Sequence, residues 1–319
     1  MSINTLPDVS NSASLHRFLS GLSGVDAVGL DARAGMLGTR SIKNDSKKWA
    51  IDLAISMIDL TTLEGADTPS RVQSLCSKAA LPDPTDPTVP RVGAVCVYND
   101  MVSVARTHLD AIGAHEIPVA AVSTAFPSGR ASLKVKLQDT QDAIDAGATE
   151  IDMVIDRGAF LRGDFAKVFD EIVAIKELCT NAPRETHLKV ILETGELVTY
   201  DNVKKASWLA MLAGGDFIKT STGKVQPAAT APVVTLMLEC VRDFHLSTGR
   251  MIGVKPAGGI RTSKDAIKML VLVNEIAGEE WLNPHMFRIG ASALLNDLLL
   301  QRQKMTTGRY SGPDYVTID

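Results

Sequence analysis

From Met57 onward the chain repeats one pattern: a short apolar run, a turn, then a stretch with helical spacing. The runs are Met57–Leu60, Ala94–Tyr98, Val119–Val122, Ile151–Ile155, His187–Leu192, Phe217–Lys219, Ile252–Lys255 and Phe287–Ile289. Their starts lie roughly 30 residues apart, the length of a strand plus a helix. The intervening segments Ser132–Ala146, Asp164–Cys179, Asn202–Ala213 and Lys264–Ala277 read as amphipathic helices, with Gly147, Gly214 and Gly278 where the helices should end. Eight such units over about 240 residues predict a (β/α)8 TIM barrel at residues 45–310. An open doubly wound sheet would require a glycine-rich turn after the first strand, and there is none. Residues 1–44 are rich in Ser, Gly and Asn, and read as a mobile N-terminal arm with one short helix around Leu15–Leu19. A leading helix begins near Asp45 or Ser46, and residues 311–319 form a C-terminal tail.

Alternation within the runs says more than their number. Ile58 and Leu60 oppose Asp59; Val95 and Val97 oppose Cys96; Ile151, Met153 and Ile155 oppose Asp152; Leu188, Val190 and Leu192 oppose Lys189. In the last three runs Ile218 opposes Lys219, Ile252 and Val254 oppose Lys255, and Phe287 and Ile289 oppose Arg288. The apolar parity must face the helix ring, which sends Asp59, Cys96, Asp152, Lys189, Lys219, Lys255 and Arg288 toward the barrel axis. Most barrel interiors are filled by branched aliphatic side chains, so a charged axis reads as a site.

Composition narrows the chemistry. The chain has 319 residues, is 45% hydrophobic and carries a formal net charge of −4, with no basic face of the kind that nucleic acid needs. No apolar run approaches the ~18 uncharged residues of a membrane span, and the N-terminus lacks a secretory pattern, so a cytoplasmic protein is expected. Four cysteines at wide, irregular spacings and six scattered histidines predict reduced thiols and no zinc site.

Lys219 and Lys255 fall at the ends of neighbouring strands, the end where barrel active sites form. Neighbouring ammonium groups repel and burial adds to the effect, so such a pair favours a free amine able to attack an aldehyde or ketone. The alternative is that both lysines are only salt-bridged to Asp59, Asp152 or Glu193. Asp152 is an acid/base candidate or, alternatively, a counter-ion. Asp59 either orients a lysine or binds a substrate hydroxyl. Cys96 reads as a small buried residue more readily than as a nucleophile. Three segments suit an anion: Thr222-Gly223-Lys224 after the sixth strand, Gly258-Gly259 after the seventh, and Gly290-Ala291-Ser292 after the eighth, opening a helix. The residues together describe a barrel enzyme that forms an imine with a small phosphorylated aldehyde or ketone.

Several blocks resemble the deoxyribose-phosphate aldolase family. They are Ile58-Asp59-Leu60-Thr61-Thr62-Leu63, Ala94–Tyr98, Glu150–Val154, Glu193-Thr194-Gly195-Glu196-Leu197, Phe217–Lys224, Val254–Arg261 and Arg288–Ser292, in the family's order from about residue 45 to 310. The arm resembles the longer, animal-type form. The resemblance implies a class I aldolase that splits 2-deoxy-D-ribose 5-phosphate into D-glyceraldehyde 3-phosphate and acetaldehyde, needs no cofactor or metal, and forms a homo-oligomer. Lys219 then matches the Schiff-base lysine, Lys255 the second lysine and Asp152 the proton donor and acceptor. Asp59, Thr61 and Cys96 match residues about the substrate, and Thr222, Gly223, Lys224, Gly258, Gly259, Gly290 and Ser292 the phosphate cradle. Thr222, Gly223 and Lys224 are expected to turn toward the phosphate, while Thr220 and Ser221 support the strand end. Ala293 departs from the pattern, because many members carry a second serine there. A terminal tyrosine used by some members corresponds to Tyr310 or Tyr315. Two other readings remain: a phosphosugar-binding protein on an inactive aldolase fold, which loss of any of Lys219, Lys255 or Asp152 would have favoured, and a cofactor-free isomerase, which would rely on carboxylate or His bases.

Overall fold

The computed structural model describes residues 9, 11–309 and 312. Three helices lead: α1 (Ser12–Gly21), α2 (Ala27–Leu37) and α3 (Asn44–Ser56). Strands and helices then alternate as β1 (Ile58–Thr61), α4 (Pro69–Ala80), β2 (Ala94–Val97), α5 (Val102–Ala111), β3 (Val119–Ser123), α6 (Leu133–Asp145), β4 (Glu150–Val154), α7 (Arg157–Leu161) and α8 (Phe165–Thr180). They continue through β5 (His187–Ile191), α9 (Tyr200–Leu212), β6 (Phe217–Lys219), α10 (Ala231–Thr248), β7 (Gly253–Lys255), α11 (Ser263–Ile276), β8 (Ile289–Ala291) and α12 (Leu294–Thr307). The strands pair in parallel in the order β7-β6-β5-β4-β3-β2-β1-β8. Two parallel bridges, Val254 to Phe287 and Ala257 to Gly290, span the gap between β7 and β8 and close the ring. This is the eight-stranded barrel that the alternation predicts.

Parity decides what each face holds. Ile58, Leu60, Val95, Val97, Ile151, Met153, Leu188, Val190, Ile218 and Val254 are buried in one core with the inner faces of the helices. The opposite parity is just as buried but charged: Asp59, Asp152, Lys189, Lys219 and Lys255 are each 2% exposed or less. Threonine side chains start helices that lead down from the top of the barrel. Thr68, Thr199, Thr230 and Thr262 each accept the backbone N–H three residues on, at the N-termini of α4, α9, α10 and α11. Each such cap stabilises by about 1 kcal/mol and fixes where the chain turns back from the loop above the strand. Gly147, Gly214 and Gly278 each lie two residues past a helix end at positive φ.

The leading segment departs from the expected mobile arm. α1 and α2 pack on the outside of the ring, with Leu15, Leu19, Leu30 and Leu37 in the main core. Long-range contacts hold them: the Phe18 ring packs at a tilt against Trp208, Asp31 accepts the Tyr200 hydroxyl proton, and Asp201 accepts the Val25 N–H. α3 starts at Asn44, with Lys43 at the cap position and no side-chain cap, one residue ahead of the expected Asp45 or Ser46. β8 lies two residues later than expected, which leaves Arg288 at its entrance. Among the described residues no helix is long and apolar enough to cross a membrane.

Candidate active site

The register brings the axial charges into one cluster. Lys219 and Lys255 are cross-strand partners on β6 and β7, as are Asp152 and Lys189 on β4 and β5. Residues opposite each other in a sheet point to the same side, so all four side chains meet inside the barrel. Lys219 Nζ and Lys255 Nζ both donate to Asp152 Oδ2, each at 2.7 Å. Two amines that share one oxygen can be no farther apart than twice that distance. Lys255 also reaches Asp59 Oδ2 at 2.5 Å, and Arg288 Nη1 donates to Asp59 Oδ1 at 2.6 Å. Deeper, Glu150 pairs with Lys189 and accepts from Arg288 Nη2 at 3.0 Å. The set holds four cationic groups, Lys189, Lys219, Lys255 and Arg288, against three carboxylates, Asp59, Glu150 and Asp152.

Burial and charge oppose each other here. Burial pushes the Asp152 carboxyl up, but Lys219, Lys255 and Lys189 together hold it well below the usual carboxylate range. Asp59 follows the same course, with burial outweighed by Lys255, Arg288 and Lys189. Burial pulls the Lys255 ammonium down, and Asp152 and Asp59 more than offset it, holding Lys255 well above the usual lysine range. Lys255 is thus a fixed positive charge beside Lys219.

Above this floor lies a cavity of about 360 Å³, and Lys219 is the member of the axial set that lines it. Its walls include Thr61, Thr222, Gly223, Lys224, Gly258, Gly259, Gly290, Ser292 and Ala293, drawn from the ends of β1 and β8 and the loops after β6, β7 and β8. Gly290 is required by close approach, since a Cβ there would lie 2.9 Å from the Ala257 Cβ and 3.3 Å from Lys255 Cε. Gly223 turns at φ +84°, a conformation that side chains disfavour. The N-terminus of α12 follows directly on Ser292 and Ala293, so unpaired backbone N–H groups and the positive end of a helix dipole lie beside this wall. Arg71, Lys224 and Arg261 add positive charge at the rim, with Glu64 as the acid among them.

Several assignments made from sequence change. Cys96, expected about the substrate, does not line the cavity; it is fully buried with Sγ 3.9 Å from Asp152 Oδ2, and burial pushes its thiol up. Asp59 also lies beneath the cavity, and of its two expected roles its pairing with Lys255 and Arg288 matches that of orienting a lysine. Thr222, expected to turn toward the phosphate, lines the cavity, but its hydroxyl donates to Glu193. Lys224 Nζ donates to Leu63 O at 2.6 Å and to Glu64 at 3.1 Å, a tether across the mouth from β6 to β1. Glu193 is not a counter-ion of the lysines: both its oxygens face Thr222, and burial, partly offset by those hydrogen bonds, raises its carboxyl. Thr220 supports the strand end, its hydroxyl accepting Ala257 N–H at 3.0 Å. Tyr310 and Tyr315 lie outside the described residues.

Sequence reasoning missed Glu150, Arg71 and Arg261 as members of the site. Glu150 has the same strand parity as Asp152, and Arg261 follows Gly258-Gly259 at once; both signals were present. Arg71 carries no such signal, because the first turn of α4 reaches the rim only through the fold. Among the described residues no group of three or more His, Cys, Asp or Glu is placed to hold a metal ion.

Comparison with known proteins agrees with this architecture. Residues 53–299 match the model of the DeoC/LacD family of aldolases. The chain is 47% identical over 280 residues to the deoxyribose-phosphate aldolase of Homo sapiens and 45% identical to that of Bos taurus, each match covering 85% of this chain and 86% of the relative. A solved structure from Coccidioides immitis aligns with a TM-score of 0.64 at 29% identity, covering 88% of this chain and all of that one. The tetrameric deoxyribose phosphate aldolase of Aeropyrum pernix shares the fold at a TM-score of 0.60 and 23% identity, over 83% of this chain and 97% of that one. A lysine-lined cavity at the top of a charged barrel and a match over most of its length lead to one conclusion: this chain belongs to the DeoC/LacD family of aldolases.

Proposed function

We propose that this aldolase reversibly cleaves 2-deoxy-D-ribose 5-phosphate to D-glyceraldehyde 3-phosphate and acetaldehyde through an imine on Lys219. The observation that carries the reading is Asp152 Oδ2 shared by two lysine amines in a buried set with one cation too many. Releasing one proton brings the set to neutrality, and Lys219 is the amine open to the cavity. A free amine there attacks the aldehyde carbon of the open-chain sugar. The carbinolamine oxygen takes a proton and leaves as water, giving an iminium. Asp152, acting through water, accepts the proton of the 3-hydroxyl as the C2–C3 bond breaks, and the iminium takes up the electron pair as an enamine. Protonation at C2 and hydrolysis then release acetaldehyde and restore the amine. Lys255 stays charged throughout, placing positive charge beside Lys219 and keeping Asp152 ionised until it accepts that proton. The glycine turns, the α12 N-terminus and the rim cations hold the 5-phosphate.

The similarity to the animal enzymes supports this substrate, and the tetrameric assembly of the Aeropyrum pernix aldolase supports a homo-oligomer. An assay that couples glyceraldehyde 3-phosphate to a dehydrogenase, with acetaldehyde measured in parallel, tests the reading. Equal release of both products is expected. Isomerised sugar phosphate without acetaldehyde, or tight binding without turnover, would sink it.

A further inference from the structure

Three residues of the anion wall, Thr222, Gly223 and Lys224, are set by a group that never reaches the cavity. Glu193 is the second residue after β5, fully buried, and held at φ +54°, a left-handed conformation that a non-glycine residue disfavours. Its carboxylate oxygens lie 3.3 Å from the Thr222 backbone nitrogen, and one of them accepts the Thr222 hydroxyl proton. A hydroxyl has a single proton to give. With that proton committed to Glu193, the Thr222 Oγ1 lone pairs face the Lys224 N–H and accept it at 3.1 Å. The turn at Gly223 is therefore pinned on both sides, and the sequence of donors runs one way, from Lys224 to Thr222 to Glu193.

We infer that Glu193 is a positioning residue for the anion side of the cavity, acting through Thr222 on the Gly223–Lys224 turn and touching no substrate itself. The inference rests on the phosphate reading given above. A carboxylate is suited to the task because it accepts from both the N–H and the O–H of one residue. A glutamine offers one acceptor oxygen and would turn its own NH2 toward a donor. The expected consequence is selective: a displaced turn weakens the grip on phosphate and leaves the imine chemistry on Lys219 in place.

Steady-state kinetics on the full-length enzyme with 2-deoxyribose 5-phosphate and with unphosphorylated 2-deoxyribose test this. E193Q should raise KM for the phosphorylated sugar about tenfold, the loss of one charge-assisted hydrogen bond. Its kcat on that sugar, and its kcat/KM on 2-deoxyribose, should stay within about twofold of wild type. T222V should reproduce the split, and the double variant should be no worse than the weaker single, since both act on one contact. Should E193Q not fold, T222V reads the same split alone. An equal loss on both sugars, an unchanged KM, or additive effects would overturn the role of Glu193. Failure of the wild-type enzyme to cleave the phosphorylated sugar would instead overturn the aldolase reading.

Discussion

Among the described residues, two buried lysine–carboxylate sites share the same 2.7 Å contact, and one of them, the axial set, opens on the cavity above the barrel. Between α6 and α8, Lys136 is fully buried and donates to Glu171, whose other oxygen accepts from Lys167, which in turn pairs with Asp156. Two cations meet two carboxylates, and each oxygen in contact serves one amine. Along the barrel axis, Lys219 is as deeply buried, but it shares a single oxygen of Asp152 with Lys255 in a set of four cations and three carboxylates. Burial and pairing alone therefore do not mark a reactive lysine. The balanced site costs stability to break, whereas the unbalanced one sets a lysine amine beside a second lysine at the floor of a cavity.

The largest expected difference is in turnover. Lys219→Ala should lower kcat by at least about 10⁴-fold, while the melting temperature stays at or above wild type, because the surplus cation is gone. A clear drop in melting temperature would instead place Lys219 among the balanced, structural pairs. Lys136→Met should do the reverse. Urea unfolding should show a loss of about 3 kcal/mol from the Glu171 oxygen left without its buried partner, Lys167 remaining on the other oxygen, with kcat within about twofold of wild type.

The axis should also give the protein its pH limits. Asp59 and Asp152 have depressed values in the folded state, so their contribution is complete above the unfolded value of about 3.9 and is lost as pH falls through the lower folded values. Lys255 is raised, so its contribution is complete below about 10.4 and fades as pH rises toward the higher folded value. Urea midpoints should thus hold between about pH 5 and 9 and fall in acid, with a shallower acid limb in Asp59→Asn. Superimposable acid limbs would remove Asp59 from the account. The smallest effect belongs to Lys167→Met. Lys167 is a third exposed, and Glu171 keeps Lys136, so about 1 kcal/mol or less is expected in the same unfolding experiment.

The sequence reached the axis more readily than the rim, for a physical reason. A strand alternates with period two, so Asp59, Asp152, Lys189, Lys219 and Lys255 betrayed their direction by their apolar neighbours. Glu150 is the first residue of the fourth strand, one position ahead of the apolar run, where alternation has no preceding neighbour to reveal it. The rim is made by loops, where a residue's type does not reveal its partner. Nothing local tells Thr222 to give its proton to Glu193, 29 residues back in the chain, or Lys224 to reach Leu63 and Glu64. The same holds for α1 and α2, two short helices that depend on Trp208, Tyr200 and Asp201 far along the sequence. Local pattern was informative where secondary structure fixes side-chain direction, and silent where tertiary contacts do.

The most direct test of the central claim is chemical trapping. The enzyme incubated with acetaldehyde, reduced with borohydride and digested should yield one modified peptide, with the reduced two-carbon adduct on Lys219. An adduct on Lys255, Lys189 or Lys136, or full activity with no adduct at Lys219, would contradict the account.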